Sequence, residues 1–323
     1  MQDQHIRTDG EVPASSQTGQ LVATDADEFA EMHRPTWRLG YEQMSRGSFL
    51  AKKQFRRTGN TIVYQESYSR TVRGVGEPAP GAFVLAVINS AGKQGRWWGR
   101  SFPESALPIV NDERGVDLVL PAGCEDIVIA LPEEELRGKL GILTGTTPRW
   151  MTGGKSFLEL PQPHCDRLWR CWSNALRSPD SIRGESLTDA LVAGLASVLP
   201  QNAEASKHPA ARSALVRRAI ELSDAECGRI SIANLCLNLR VSQRALNYAF
   251  VSQIGEPPNR YLKLRRLNQV RRRLREACQA ETTVTAITNE LGFFEAGRFA
   301  VEYKQVFGEC PSTTLQVSPN PVF

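Results

Sequence analysis

Between Thr61 and Tyr68 apolar and polar residues alternate, the two-residue period of a strand with one face in a core. Ala82–Ile88 is an unbroken apolar run and predicts a buried strand. Val116–Leu120 and Asp126–Leu131 are short, β-branched and bounded by Gly, Pro, Asp or Glu, and predict two more. Glycine and proline punctuate the chain between them (Gly74, Gly76, Pro78, Pro80, Gly81, Gly92, Gly95, Gly99), so the stretch from Phe49 reads as a small barrel or sandwich. After Pro163 the period lengthens. Leu168, Trp169, Trp172 and Leu176 share one face of a helix over Asp166–Leu176, where the tryptophans suit a core or a dimer interface, and Leu187–Leu199 is a second striped helix. Residues 1–27 are polar, acidic and without apolar period, and are expected to be disordered. Residues 200–211, rich in Pro, Ala, Gln, Asn and Ser, are expected to link a β-rich domain at 28–199 to an all-helical one at 212–318. The predicted class is α+β.

The helical part repeats itself. Leu246, Phe250, Ile254 and Gly255 recur 53 residues later as Phe299, Tyr303, Phe307 and Gly308. Upstream, Leu235, Cys236 and Val241 recur at an offset of 52 as Ile287, Thr288 and Phe293. Two copies are too few for a solenoid and mark a duplicated small module. Each copy has the layout of a helix-turn-helix, the first at 231–254 and the second at 283–307. Ser231 is placed to cap the first helix, Leu239–Val241 to turn, and Ser242 to cap the second. Thr283 caps the first helix of the later copy, Gly292 supplies its left-handed turn residue, and Glu295 opens the next helix. In such a unit the second helix enters the major groove and its N-terminal residues reach base edges.

Between the copies, residues 260–275 hold eight basic residues and no acidic one. Tyr261, Leu264, Leu267, Val270 and Leu274 form the apolar stripe of a helix that joins the modules, and its basic face, Arg271 and Arg272 included, is expected to meet phosphates.

Residues 212–316 resemble the two-unit DNA-binding domain of the AraC/XylS transcription regulators. The likeness is carried by Tyr261-Leu262, Arg265-Arg266-Leu267, Val270 and Leu274, then Leu291-Gly292-Phe293, Arg298-Phe299, Tyr303-Lys304, Phe307-Gly308 and Pro311-Ser312. Leu291–Thr314 and Trp37–Met44 together are similar to the ethanolamine-utilisation regulators within that family. The resemblance implies double-stranded DNA as partner, read by Ser242, Gln243, Arg244, Asn247 and Tyr248 on one helix and by Glu295, Ala296, Gly297 and Arg298 on the other. Arg pairs with guanine O6/N7 and Asn with adenine N6/N7. It also implies a cupin-like N-terminal barrel that senses a small-molecule effector, a homodimer paired through the helices after Pro163, and RNA polymerase as partner of an activator. The sequence departs from the family at Arg240, where glycine is usual, and at Ala296, Gly297 and Val301, which offer a base little. The first unit is therefore expected to carry most of the specificity, with Arg298 either on DNA or paired to Glu295 or Glu302.

Charge agrees with this division. Arg212 onward carries 16 basic and 10 acidic residues, so the net +4 of the chain is +6 there and −2 elsewhere. The seven scattered cysteines show no C-x-x-C spacing and suit free thiols in a reducing cytoplasm, and the nucleoid is the expected location. No apolar run reaches a membrane span, the N-terminus lacks the pattern of a signal peptide, and no membrane association is expected. His5, His33, His164 and His208 are isolated, so no metal, cofactor or catalytic group is expected. A repair methyltransferase would need clustered cysteines and a Pro-Cys-His segment, whereas Pro163-His164-Cys165 has another order. Glu133-Glu134-Glu135 reads as a solvated loop. Trp97 and Trp98 either line a ligand pocket in the β domain or supply its core and rim. The competing function is a DNA binder of the same type whose β domain senses nothing.

Overall fold

A computed structural model describes residues 16–34, 36–89, 94–101, 106–111, 115–145, 149–151, 157–178, 186–199, 210–277 and 282–317. The first part is built from strands β1 (Ser16–Ala23), β2 (Trp37–Gln43), β3 (Ala51–Thr58), β4 (Thr61–Tyr68), β5 (Val72–Pro78) and β6 (Ala82–Asn89). It continues through β7 (Arg96–Trp97), β8 (Arg100–Ser101), β9 (Ala106–Val110), β10 (Val116–Leu120), β11 (Glu125–Pro132) and β12 (Phe157–Glu159). One sheet runs β1-β3-β4-β11-β6-β9-β12 and the other β2-β5-β10-β7-β8. The pairings are antiparallel, as between Val63 and Ile129 and between Ile129 and Leu85.

That register explains the apolar runs. Val63, Leu85 and Ile129 point to one face of the larger sheet, where α3 (Gln162–Arg177) and α4 (Leu187–Ala196) bury Leu168, Trp172 and Leu191 against them. Tyr64, Val84 and Val128 point to the other face, where the smaller sheet supplies Tyr41, Val72 and Val116. A sheet covered on both sides must be apolar at successive positions, and each fully buried large side chain stabilises by roughly 1.5–3 kcal/mol. Trp172 is wholly buried and Trp169 packs at the margin of the same core.

Two sequence expectations need correction. Residues 16–27 are ordered: β1 pairs with β3 along its whole length, and Asp25 caps α1 (Ala26–Glu31), whose Phe29 is fully buried. Residues 1–15 lie outside the described part. A mostly exposed edge strand held by backbone hydrogen bonds carries little apolar signal. Glu133-Glu134-Glu135 is the first turn of α2 (Glu133–Thr144), where acidic residues favour the positive end of the helix dipole, and not a loop.

The second part is helical, as expected: α5 (Ala210–Ala225), α6 (Ile232–Leu239), α7 (Gln243–Gln253), α8 (Pro258–Glu276), α9 (Val284–Glu290), α10 (Ala296–Phe307) and α11 (Pro311–Val317). Leu235, Leu246, Phe250, Tyr261, Leu267, Ile287, Phe299 and Tyr303 belong to one core that spans both copies. The linker expected at 200–211 lies outside the described residues up to 209, and 210–211 belong to α5.

Candidate nucleic-acid interface

The two helix-turn-helix units form by the caps their sequence provides. The Ser231 hydroxyl accepts from the Asn234 N–H (3.1 Å), that of Ser242 from Ala245 (3.1 Å), and that of Thr283 from Ala286 (3.2 Å). Arg240 ends α6 with φ at +54°, the left-handed conformation that glycine adopts without cost. Gly292 takes the same region at +75°. On α7, Leu246, Ala249 and Phe250 face the core, while Gln243, Arg244, Asn247 and Tyr248 are exposed. No carboxylate pairs with Arg244 among the described residues.

On α10, Phe299, Tyr303 and Phe307 are buried, and Ala296, Gly297, Arg298 and Val301 are exposed. Glu295 precedes the helix without making a side-chain cap. Arg298 reaches Glu302 at 3.2 Å and Glu295 at 3.9 Å. The second recognition helix thus shows small side chains and one arginine engaged with Glu302 on its own helix and with Glu295 just before it.

The basic face of α8 is disposed differently from the expectation. Tyr261, Arg265, Asn268, Arg272 and Arg275, at alternating spacings of four and three, make one stripe, and it faces the β-rich part rather than solvent. The Tyr261 hydroxyl donates to Glu42 (2.7 Å) and accepts from Arg73, which is held bidentately by Asp117 at 3.0 and 2.9 Å. Arg265 pairs with Glu42 and with Asp224 (2.7 Å). The Asn268 amide exchanges hydrogen bonds with the backbone of Gln43, at 3.0 and 3.1 Å. Arg272 binds Asp27 at 2.6 Å, and Arg275 binds Asp25 and Glu28. Arg271 lies at 3.0 Å from Glu309 and over the Phe307 ring, with its side chain only 12% exposed. Arg271 and Arg272, expected on phosphates, therefore have carboxylate partners within the chain, because acidic residues on α1 and before α11 come within reach of α8.

The ends of both recognition helices also touch the β-rich part. Gln253 donates to Asp117 (3.3 Å), and Arg96 donates to the Ser252 carbonyl (2.7 Å). The Gly47 N–H reaches the Gln305 and Val306 carbonyls at 3.2 and 3.1 Å.

Between the two sheets lies a cavity of about 40 Å³ lined by Trp37, Tyr41, Tyr64, Glu66, Trp97 and Asp126, among others. Trp97 is buried there, whereas Trp98, at φ +50°, only packs at the margin of that core. Glu66 meets His33 Nε2 at 2.8 Å and Lys53 Nζ at 3.1 Å. Burial alone would raise the Glu66 carboxyl, but these two neighbours outweigh it and hold it below the usual range. Burial pushes the Asp126 carboxyl well up, and the Glu66 carboxylate adds to that. Tyr68 donates to one Asp126 oxygen, while the other, like Trp97 Nε1, is buried without a partner. Among the described residues no group of three or more His, Cys, Asp and Glu side chains is placed to hold a metal. No described helix is long and apolar enough to cross a membrane. The sequence alone gave no sign that Glu66 and Asp126 meet; their only trace is a carboxylate inside each of two apolar strands.

Comparison with known proteins gives a consistent result. Residues 235–316 match the family model described as a helix-turn-helix domain. The chain is 38% identical over 106 residues to the probable thc operon regulatory protein of Rhodococcus erythropolis, a match that spans 32% of each chain. It is 25% identical over 270 residues to XylDLEGF operon transcriptional activator 3 of Pseudomonas putida, spanning 80% of each. The chain thus covers about a third of the length of the first relative and four fifths of the second. Among solved structures, it is similar to the AraC-like transcriptional activator CuxR, with a TM-score of 0.40 and 13% identity over 78% of this chain and 94% of that one.

Proposed function

We propose, from the premise that the chain belongs to the AraC/XylS family of transcription regulators, that it binds DNA by sequence through α7 and α10 and answers to a small molecule held in its β domain. The boundary between sensing and DNA-binding parts is taken at residues 200–211. The observation that carries the reading is α7 itself: a capped helix, buried on one side, with Gln243, Arg244, Asn247 and Tyr248 exposed on the other. Arg244 and Asn247 offer the donors and acceptors that guanine and adenine edges require. Two such helices in one chain are expected to meet successive major grooves about 34 Å apart. Ala296, Gly297 and Val301 give α10 less to read with, so it contributes mainly backbone contact and, through Arg298, one base or phosphate contact.

The effector reading is supported by the inter-sheet cavity, where Trp97 Nε1 and one Asp126 oxygen lack partners. A buried polar group left alone costs about 1–3 kcal/mol, which a guest that satisfies it would recover. The cavity's volume of about 40 Å³ supports the second reading, a β domain that senses nothing, because such a space holds little more than water. A homodimer, RNA polymerase as the partner of an activating form, and a place in the cytoplasm on the nucleoid complete the proposal.

The experiment is a randomised-site selection at one fixed salt concentration. Arg244→Ala is expected to cost about 1–3 kcal/mol on the selected site and to relax the preference at one base pair, with binding to random duplex barely changed. An unchanged sequence preference would remove Arg244 from the reading face.

A further inference from the structure

The turn between β2 and β3 is fastened to the second helix-turn-helix unit. Gln43 Nε2 donates to the carbonyls of Ser45 (2.7 Å), Gly47 (2.7 Å) and Val306 (2.5 Å). The Gly47 N–H, at φ +106°, reaches the Gln305 and Val306 carbonyls at the end of α10. Met44 N–H donates to Thr71 O (2.8 Å), and Thr71 N–H donates to Ser45 Oγ (2.9 Å). The backbone on both sides of Arg46 is therefore fixed, and only its side chain is free to move.

Arg46 enters an open groove of about 790 Å³ that it lines with Arg260, Lys263, Gly297, Arg298 and Glu302, among others. Gly297 and Arg298 belong to the α10 face proposed to lie on DNA, so the groove is continuous with that face. Four cations line it against the single carboxylate of Glu302, which already serves Lys263 (2.6 Å) and Arg298 (3.2 Å). Arg260 has Glu256 at 3.3 Å. No described carboxylate pairs with Arg46, although its neighbours Ser45 and Gly47 are held by hydrogen bonds. An exposed guanidinium without a counter-ion among the described residues, in a groove of excess positive charge, calls for an anion. Along a recognition helix, the anion in reach is the phosphodiester backbone.

We propose that Arg46 is a DNA-backbone contact contributed by the β domain, so that both parts of the chain build one phosphate-binding groove beside α10. The proposal rests on the reading of α10 as a DNA-facing helix. It assigns part of the affinity, and none of the sequence preference, to a residue outside the helix-turn-helix units.

The test uses the full chain and fluorescence anisotropy on its selected duplex and on a random one, across salt from about 0.05 to 0.3 M. Arg46→Ala is expected to flatten the slope of log K against log salt by about 0.9, an affinity loss of about eightfold at 0.1 M relative to 1 M, on both duplexes alike. Arg46→Lys keeps the charge and is expected to keep the slope, whereas Arg34→Ala, a surface control on the β domain, is expected to change nothing. Unaltered slope and affinity in Arg46→Ala, with the fold intact by circular dichroism, would overturn the proposal. So would tighter binding, which would mean that the turn competes with DNA. If the wild-type chain bound no duplex at low salt, the DNA-binding reading would fail and this one with it; wild-type binding with an indifferent Arg46 would sink this one alone.

Discussion

Replacing Tyr261 with phenylalanine removes one oxygen from the centre of the interface between the two parts. That hydroxyl donates to Glu42 at 2.7 Å and accepts from Arg73, while the ring packs against Phe250 with centroids 5.8 Å apart. Phenylalanine keeps the ring, so no cavity larger than the oxygen is made. Hydrogen bonds to charged groups contribute about 1.5–3 kcal/mol each, and two of them set the ceiling. Neither ion is left alone, however: Arg73 keeps Asp117 and Glu42 keeps Arg265. The expected loss is therefore about 2 kcal/mol, well short of the cost of stranding a buried charge.

The chain supplies two separate reporters. Its six tryptophans all lie between positions 37 and 172, so fluorescence reports the β-rich part alone. Far-UV circular dichroism is dominated by helices, most of which lie beyond residue 210. In urea the Tyr261→Phe midpoint is expected to fall by about 0.5–1 M, for a slope of about 3 kcal/mol/M, by both probes. The fluorescence change is the decisive one, because position 261 lies in the other part of the chain. If only the dichroism transition moved, the hydroxyl would act within the helical part and the coupling argued from Glu42 and Arg73 would be refuted.

Two further expectations concern the β domain. Because burial raises the Asp126 carboxyl in the folded state, folding increasingly penalises its ionised form as pH rises above the unfolded value of about 4, so stability from this group falls from there toward its folded pKa. Asp126→Asn should gain stability over the wild type as pH rises through that window, and parallel curves of melting temperature against pH would contradict this. A metabolite that enters the inter-sheet cavity should raise the melting temperature of the wild type and less that of Trp97→Phe; no shift with any metabolite tested would favour the non-sensing reading.

How much was legible follows from how far apart the partners stand in sequence. The helix-turn-helix units could be read because each cap lies within three residues of the N–H it binds, and because the duplication repeats the core positions at 53. The bounds of strand β4 were legible but not its burial, since Val63 and Tyr64 face opposite cores and both faces of Thr61–Tyr68 are covered. Strand β1 was not, because an exposed edge strand needs backbone partners and few apolar side chains. The ion pairs of α8 were hidden for the same reason. Eight cations in sixteen residues read as a face for phosphates, but Asp25, Asp27, Glu28 and Glu42 are more than 200 positions away and only the fold brings them in. Trp97 was a candidate for the pocket, and the structure places it on the cavity; nothing in its sequence context separated it from Trp98.

The consequence for DNA binding runs through α8. Leu267 and Val270 belong to the core that holds both units, and Arg271 lies over Phe307 at the end of α10. A neighbouring stripe of the same helix is committed to β2 and α1 through Tyr261, Arg265, Asn268, Arg272 and Arg275. Two recognition helices must keep a spacing near 34 Å to occupy successive grooves, and α8 is the element that separates them. Domain docking and DNA geometry therefore depend on one helix. Strand β2 also lines the inter-sheet cavity with Trp37, Leu39 and Tyr41, and carries Glu42 and Gln43 on the docking side. A guest that shifted β2 would strain the Glu42 and Gln43 contacts before it disturbed either recognition helix, so an effector's influence would arrive as a change in how firmly α8 is held.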